Sequence, residues 1–304
     1  MKKITIVALM ASVLFGGVYH LKPIKVTKDI TCIIGDFNPP NRQNLGFVSN
    51  MCYVNMGKNL VVIDAGPTYE FAKEFYRLMQ KEYPHKKVSA VILSNFHDDR
   101  ILGASFFKKL GAKIIGYKNI NEEIKTYKSK FERIKKVVPA KIYENTKLIL
   151  ADTLVGDGYK IKGDKKTIEI IKPSKISEEK SDIAIYIPED SFLFVGNMVF
   201  NNRMLNYRKE SNIDGWIKAL EKLSKLKAKF VFAGHGDDYS SDSYKTTLKY
   251  LKIVKKDVKK ALDNDVDEAD LVKSVHTKEF QHLKYFEKLN YLAIHNYYDQ
   301  LQWQ

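Results

Sequence analysis

The chain has 304 residues, 44% of them hydrophobic, so it can bury a full core as one large domain or two small ones. Its formal net charge is +15, and the excess positive charge is mostly lysine dispersed along the chain. Dispersed lysine is typical of a solvated surface, and no nucleic-acid-binding motif accompanies it. We therefore expect no nucleic-acid partner.

The N-terminus predicts a targeting segment. Lysines at positions 2 and 3 precede an apolar run, Ile4–Val18, which has the length of a signal peptide and is short for a transmembrane helix. We expect residues 1–20 to be a signal peptide or an N-terminal anchor. Either alternative exports the domain, which would then be periplasmic, or tethered to the membrane through residues 4–18 and facing the periplasm.

The chain contains two cysteines, Cys32 and Cys52. An even pair near adjacent strands can form a disulfide in an oxidising compartment, and two buried free thiols are the alternative. At the level of the sequence both alternatives stay open. Neither cysteine has neighbours at metal-ligand spacing, so we expect no metal on them.

The first part of the chain predicts strands and then a helix. Residues 24–35 form one predicted strand, and residues 51–55 and 60–63 flank a Gly-Lys-Asn turn, as in a β-hairpin. The apolar spacing over 68–83 predicts an amphipathic helix. A β-branched run that ends at Ser94 then predicts a buried strand.

The remaining pattern alternates strands and helices. In chain order, the predicted elements are a strand over 113–116, a charged surface helix over 119–138, strands over 147–152, 159–161 and 167–171, a hairpin of 182–187 and 192–195, a helix over 213–226, a strand over 230–233, and helices from 243 onward. This order predicts an α/β fold in which helices cover two sheets packed face to face, an αββα sandwich. We assign the sandwich to residues 24–240, and expect residues 241–304 to form a helical C-terminal extension packed on the same domain.

Polar side chains follow the strand that ends at Ser94, in the run Ser-Asn-Phe-His-Asp-Asp-Arg. Because alternate residues of an extended turn project to one side, Asn95, His97 and Asp99 are expected to converge on one point. An imidazole and a carboxylate at one point are suitable ligands for Zn²⁺. His235 sits between two glycines after another predicted strand and is the second histidine in a comparable turn.

The run from Asn95 to Gly103 resembles the His-x-His-x-Asp-His-x-x-Gly motif of the metallo-β-lactamase fold superfamily. Asn95 stands at the first His of that motif, and Arg100 replaces its last His. The run is also similar to the Asn-x-His-x-Asp-Arg variant of the mono-zinc, carbapenem-degrading subclass. In the C-terminal half, F-L-F-V-G-N-M-V-F resembles a strand and turn of the exported hydrolases of the sulfur-oxidation and quinoprotein-relay type.

The resemblance implies a set of site residues. Asp64, in a strand-Asp-x-Gly pattern, would hold the metal-binding loop by hydrogen bonds. Asn197 stands where the family has a bridging Asp, and Glu178 is nearest by spacing to the missing His of the third motif. The candidate metal ligands are therefore His97, Asp99, His235, Asn95, Asn197 and Glu178.

An amide binds Zn²⁺ more weakly than a carboxylate, so Asn95 and Asn197 both reduce metal affinity. We expect at most one weakly held Zn²⁺, or none. One zinc would lower the pKa of its bound water to about 7, Asp99 would orient that water or act as base, and Arg100 would neutralise anionic charge on the substrate. The alternative for Arg100 is a salt bridge to Asp98 or Asp99.

Two functions follow from this set. The first is an exported mono-zinc hydrolase of a small ester, thioester or lactam-like compound, with Asp99 and Arg100 as its catalytic residues. The second is a catalytically inactive member that binds a ligand or a protein partner in the cleft. We expect Asn201, Asn202 and Tyr207 to line the mouth of that cleft.

Overall fold

The computed structural model describes residues 17–303, so most of the predicted signal peptide or anchor, including residues 4–16, lies outside the described residues. Within the described part of the chain, the strands form two sheets, one of seven strands and one of five. No helix there is both long enough and apolar enough to cross a membrane.

The first sheet carries its strands in sequence order. They are β1 (Pro23–Thr27), β2 (Ile30–Ile33), β3 (Met51–Asn55), β4 (Asn59–Ile63), β5 (Lys87–Ile92), β6 (Lys113–Tyr117) and β7 (Thr153–Val155). The strands from β1 to β4 pair antiparallel, and those from β4 to β7 pair parallel. Parallel neighbours need crossover connections, and the helices between β4 and β7 supply them.

The second sheet has the order β12-β11-β10-β9-β8. Its strands are β8 (Lys160–Lys162), β9 (Thr167–Ile171), β10 (Ala184–Ile187), β11 (Phe192–Phe194) and β12 (Phe230–Phe232). Only β11 and β12 pair parallel. The carboxyl ends of these two strands therefore point the same way, which places the turns after them side by side.

The helices cover the outer faces of the two sheets. They are α1 (Tyr69–Glu82), α2 (Asp98–Ile101), α3 (Ala104–Lys109), α4 (Ile120–Thr126), α5 (Glu132–Val137), α6 (Ala140–Tyr143), α7 (Ile213–Ser224), α8 (Lys245–Asp263), α9 (Glu268–Ser274) and α10 (Phe286–Gln302). Side chains of β3 and β4 pack against those of β10 and β11 in one apolar layer between the sheets. Two further apolar layers join α1 and α3 to the first sheet, and α7, α8 and α10 to the second. The predicted αββα sandwich with a helical C-terminal region is confirmed.

A disulfide joins the two sheet strands β2 and β3. Cys32 lies directly opposite Cys52 in the antiparallel pair, and the two are bonded. Both residues are buried in the layer between the sheets. Of the two alternatives for these cysteines, the structure contains the disulfide.

Three local predictions were wrong. The predicted single strand over 24–35 is instead a hairpin of β1 and β2. Asp29 lies in the turn between them, and its carboxylate accepts hydrogen bonds from Asn55 and Lys166, which stabilise the turn. The helix over 119–138 is interrupted at Tyr127, and it buries Phe131 and Ile134 instead of lying across the surface. No strand forms over 147–152.

Candidate functional site

A cavity of about 60 Å³ opens where strands of both sheets end. The turn after β5 supplies its first wall, and the turns after β11 and β12 supply the second. Its lining residues are Pro39, Pro40, Val48, His97, Asp99, Arg133, Glu178, Asn197, Phe200, Arg203, Asn206, Arg208 and His235. A larger cavity of about 320 Å³ under α7 holds none of the predicted site residues.

Arg100 lies beneath the cavity rather than in it. Its guanidinium pairs with Asp64 at 2.5 Å and donates to Asn197 Oδ1 and to the Gly234 carbonyl, at 2.9 Å in each case. Both charged side chains are fully buried. This position leaves Arg100 no contact with a substrate and no salt bridge to Asp98 or Asp99, so neither predicted role for it fits the structure.

Asp64 has the supporting position that the motif implies. One carboxylate oxygen accepts from the Ser94 backbone N–H at 2.8 Å, and the other accepts from the Ser94 hydroxyl at 2.7 Å and from Arg100. Burial raises the pKa of Asp64, and the Arg100 charge opposes that shift. The pair fixes the start of the polar turn that carries His97 and Asp99.

His97 is held at both ring nitrogens. Nδ1 faces the Asn197 amide nitrogen at 2.8 Å, and Nε2 faces a Glu179 oxygen at 2.9 Å. An amide N–H can only donate, so we assign Nδ1 as the acceptor and Nε2–H as the donor to Glu179. Burial lowers the pKa of His97 well below its ordinary value, with Arg208 adding to the shift, so the ring is neutral at pH 7.

Asn95 is turned away from the cavity. Its amide nitrogen donates to Asp182 at 3.2 Å, and its oxygen accepts from the His97 backbone N–H at 3.0 Å. The residue is fully buried and does not line the cavity. The structure therefore places Asn95 as a support for the turn, which corrects its prediction as a metal ligand.

His235 presents one nitrogen to the cavity. Nδ1–H donates to the Val48 carbonyl at 2.7 Å, and the ring stacks on Phe200 with centroids 4.9 Å apart. Nε2 makes no hydrogen bond to any residue of 17–303 and keeps its lone pair. Burial lowers the pKa of His235 well below its ordinary value, and Arg203 lowers it further.

Asp99 also keeps one free acceptor. Its Oδ1 contacts Arg133 at 3.2 Å, while its Oδ2 makes no hydrogen bond within the described chain. Burial raises the pKa of this carboxyl, but Arg133 and the neighbouring groups hold the pKa below its usual value. Asp99 is therefore an ionised acceptor at pH 7.

Two neighbouring glutamates lie in this region, and only the first was predicted. Glu178 lines the cavity, and one of its carboxylate oxygens is buried without a hydrogen-bond partner among residues 17–303. The carboxylate that contacts His97 belongs to Glu179, one residue later. Spacing in the sequence identified the right segment and missed the residue that meets the histidine.

Three arginines in the cavity wall were missed. They are Arg133, Arg203 and Arg208. The chain has only 6 arginines against 45 lysines, and four of them, counting Arg100, lie in or beneath this site. The scarcity of arginine is visible in the sequence and was the signal that could have singled these residues out, whereas their grouping at one site is seen only in the structure.

The three residues expected to line the mouth of the cleft make contacts elsewhere in the protein. Tyr207 is buried against Trp216 and donates to Gln300 at 2.6 Å. The side chain of Asn201 donates to the Asp238 carbonyl, and that of Asn202 donates to Asp237. None of the three lines the cavity.

The donors present do not fit a zinc ion. Among residues 17–303, no three His, Cys, Asp or Glu side chains are grouped so that they could hold a metal. Two side chains at positions where the family has metal ligands already have hydrogen-bond partners in the protein. They are His97, at both ring nitrogens, and Asn197, at its side-chain oxygen. Asp99, His235 and Glu178 each keep a free donor atom in the cavity wall, but these three side chains are not grouped as the three protein ligands of a catalytic zinc site are.

Comparison with known proteins agrees with the fold. The sequence model of the family described as the metallo-beta-lactamase superfamily matches residues 45–235. The chain is 24% identical over 206 residues to the metallo-beta-lactamase type 2 of Elizabethkingia meningoseptica, covering 66% of this chain and 74% of that protein. It is 23% identical over 209 residues to metallo-beta-lactamase IND-1 of Chryseobacterium indologenes, covering 67% and 79%.

Solved structures show the same likeness. The metallo-beta-lactamase from Pontibacter korlensis superposes with a TM-score of 0.62 at 16% identity, over 76% of this chain and 99% of that one. Metallo-beta-lactamase IND-7 superposes with a TM-score of 0.59 at 19% identity, over 76% of this chain and 97% of that one. The chain belongs to the metallo-β-lactamase superfamily, a family of hydrolase type whose members usually bind zinc.

Proposed function

We propose that this chain binds a ligand in its cleft without a catalytic zinc ion. The observation that carries the proposal is His97, whose two nitrogens are both engaged by protein groups at 2.8 and 2.9 Å. A metal ligand needs a free lone pair, and the one lone pair of His97, on Nδ1, already accepts from the Asn197 amide, so His97 binds a metal only if Asn197 releases it. The cations that line the cavity are guanidinium groups instead.

A mono-zinc hydrolase is the second candidate. Asp99 Oδ2 and His235 Nε2 share the cavity and make no hydrogen bonds within the described residues, which favours this candidate. Its substrate would be a lactam-like compound, by analogy with the names of the relatives, or an ester or thioester, as the resemblance of the motif implies. This candidate requires a third ligand beside Asp99 and His235, and Glu178, whose carboxylate keeps an unpaired oxygen, lines the same cavity.

Metal content distinguishes the two candidates. We expect protein purified without added metal to contain well under one zinc per chain by elemental analysis, and its Tm to be unchanged by excess zinc. His235→Ala serves as the control, and we expect its zinc content to equal that of the wild type. One tightly bound zinc that His235→Ala loses, with zinc-dependent hydrolysis, would establish the mono-zinc hydrolase instead.

We also propose that the protein is exported through its N-terminal segment. The Cys32–Cys52 disulfide supports this proposal, since structural disulfides are rare in reducing compartments. Fractionation of cells that express the full chain tests it, and full-length protein in the cytoplasm would contradict it.

A further inference from the structure

We propose that the ligand of this cleft is a phosphate group that carries at least one proton, held by Arg203 and Arg208 and by the acceptor atoms of Asp99 and His235. The inference rests on the proposed ligand-binding function, because a zinc ion at Asp99 and His235 would take the same two acceptors.

Arg203 supplies the first argument. Its guanidinium lines the cavity, and its Nε is buried without a hydrogen-bond partner among residues 17–303. A buried donor on a charged group is costly to leave unpaired. Arg203 also forms no ion pair with a carboxylate of the described chain, so an oxyanion in the cavity would give this side chain its missing partner.

The other charges around the cavity are nearly balanced. Arg133 is engaged by Asp98 at 3.0 Å and by Asp99 at 3.2 Å. Arg208 lies 3.7 Å from Glu178 and 3.9 Å from Glu179, too far for hydrogen bonds. The Asn206 side-chain oxygen accepts from Arg208 Nε and Nη2, both at 3.1 Å, which leaves the Nη1 donors of Arg208 for a ligand. Asp99 and Glu178 act on the charge of Arg203 from a distance, but Arg203 pairs directly with no carboxylate of residues 17–303.

The size of the cavity limits the ligand. One water needs roughly 10–15 Å³ of such volume, so a cavity of about 60 Å³ has room for a group of four or five heavy atoms. A phosphate group fits this limit, and the paired N–H donors of a guanidinium group are spaced to bind two of its oxygens at once. A bulky substrate does not fit inside, although an organic group attached to the phosphate would extend through the opening.

The two free acceptor atoms in the cavity favour phosphate over sulfate as the ligand. Asp99 Oδ2 and His235 Nε2 are free acceptors in the same cavity as the guanidinium groups. Near neutral pH inorganic phosphate carries at least one proton and can donate to such an acceptor, whereas sulfate has no proton. Sulfate would place its oxygens against these lone pairs, and an unmatched buried acceptor costs binding strength.

Titration calorimetry of the metal-free protein in a low-salt buffer tests the inference, with inorganic phosphate, sulfate, acetate and a phosphomonoester as probes. We expect phosphate to bind at least about tenfold more tightly than sulfate. The titrations are made near pH 5.5, where the monoester also keeps a proton because its second pKa is about 6. Binding of the monoester at equal strength would then identify an organic phosphate as a ligand, and binding of inorganic phosphate alone would identify the free ion. Equal affinity for phosphate and sulfate, or no binding of phosphate, would overturn the inference.

Variants locate the binding to this cavity. Arg203→Gln is expected to weaken phosphate binding at least about tenfold, while Arg42→Gln, the same change at an exposed arginine, leaves binding unchanged. Asp99→Asn, which replaces an acceptor with a donor, is expected to abolish the preference for phosphate over sulfate. If Arg203→Gln fails to fold by circular dichroism, Arg208→Gln takes its place; full phosphate affinity in a folded variant of either residue contradicts the assignment.

The failures of the two proposals are distinguishable. Stoichiometric zinc in the purified protein would refute the ligand-binding function, whatever the calorimetry shows. Metal-free protein that does not bind phosphate in the calorimeter would refute only the assignment of phosphate as the ligand.

Discussion

Arg100→Met is expected to lower the free energy of unfolding by about 3–5 kcal/mol, because it leaves the carboxylate of Asp64 buried without its ion-pair partner. Both side chains are fully buried, 2.5 Å apart. The substitution also removes the donors that hold Asn197 and the Gly234 carbonyl. Urea unfolding followed by circular dichroism measures the loss.

A double variant separates the cost of the unpaired charge from the value of the pair. Asp64→Asn with Arg100→Met removes both charges, and we expect it to be more stable than Arg100→Met alone, since a neutral buried pair avoids the desolvated ion. Lys108→Met breaks an exposed ion pair with Asp152 and serves as the control, with an expected change below about 1 kcal/mol. An Arg100→Met loss no larger than that of the control would show that the buried pair does not stabilise the turn.

The sequence predicted the layers of the fold because their apolar patterns are long and simple. The hairpin of β3 and β4 is framed by Met51–Asn55 and a glycine turn, and α1 begins where Thr68 accepts from the Phe71 N–H at 3.0 Å. The prediction for residues 119–138 was wrong because the many lysines of this segment suggested a helix lying on the surface. Phe131 and Ile134 bend it onto the sheet, a tertiary effect that charge content does not report.

The positions of the site residues were easier to predict than their partners. His97, Asp99, Asn197 and His235 follow strand ends, and the structure brings all four to one cavity. A motif fixes where the backbone lies, but it does not fix which way a side chain turns. Asn95 shows this limit, because its amide meets Asp182 from a distant segment instead of facing the cavity.

The arginines define the electrostatic character of the site. The lysines are spread over the surface, so the net charge of +15 says little about function. The arginines are few and concentrated, and Arg203 is the cation whose charge acts most strongly on His235. Scarcity of arginine in a lysine-rich chain is thus a better guide to the site than net charge.

Glu123→Gln is expected to raise the free energy of unfolding by about 3 kcal/mol at pH 8. Glu123 is buried on α4; one oxygen accepts from the Lys180 N–H at 3.0 Å, and the other has no hydrogen-bond partner in residues 17–303. Burial raises the pKa of this carboxyl to about 7 from an ordinary value of 4.5, and the nearby Glu179 and Asp182 add to the shift. A glutamine keeps the acceptor and removes the charge.

The sign of the pH dependence follows from the raised pKa of Glu123. Above pH 7 the folded wild type holds an ionised carboxylate that the unfolded chain holds more easily, so the group destabilises the fold there. Between about pH 7 and pH 4.5 the folded protein takes up the proton first, and the penalty disappears. The gain in the free energy of unfolding from Glu123→Gln is therefore expected to shrink across that window in urea unfolding at pH 8, 6.5 and 5.

Glu122→Gln, the same change at the exposed neighbour, is the matched control and should alter stability little at any pH. An advantage of Glu123→Gln that persists at pH 5, or that Glu122→Gln shares at pH 8, would mean that Glu123 does not carry a raised pKa in the folded protein.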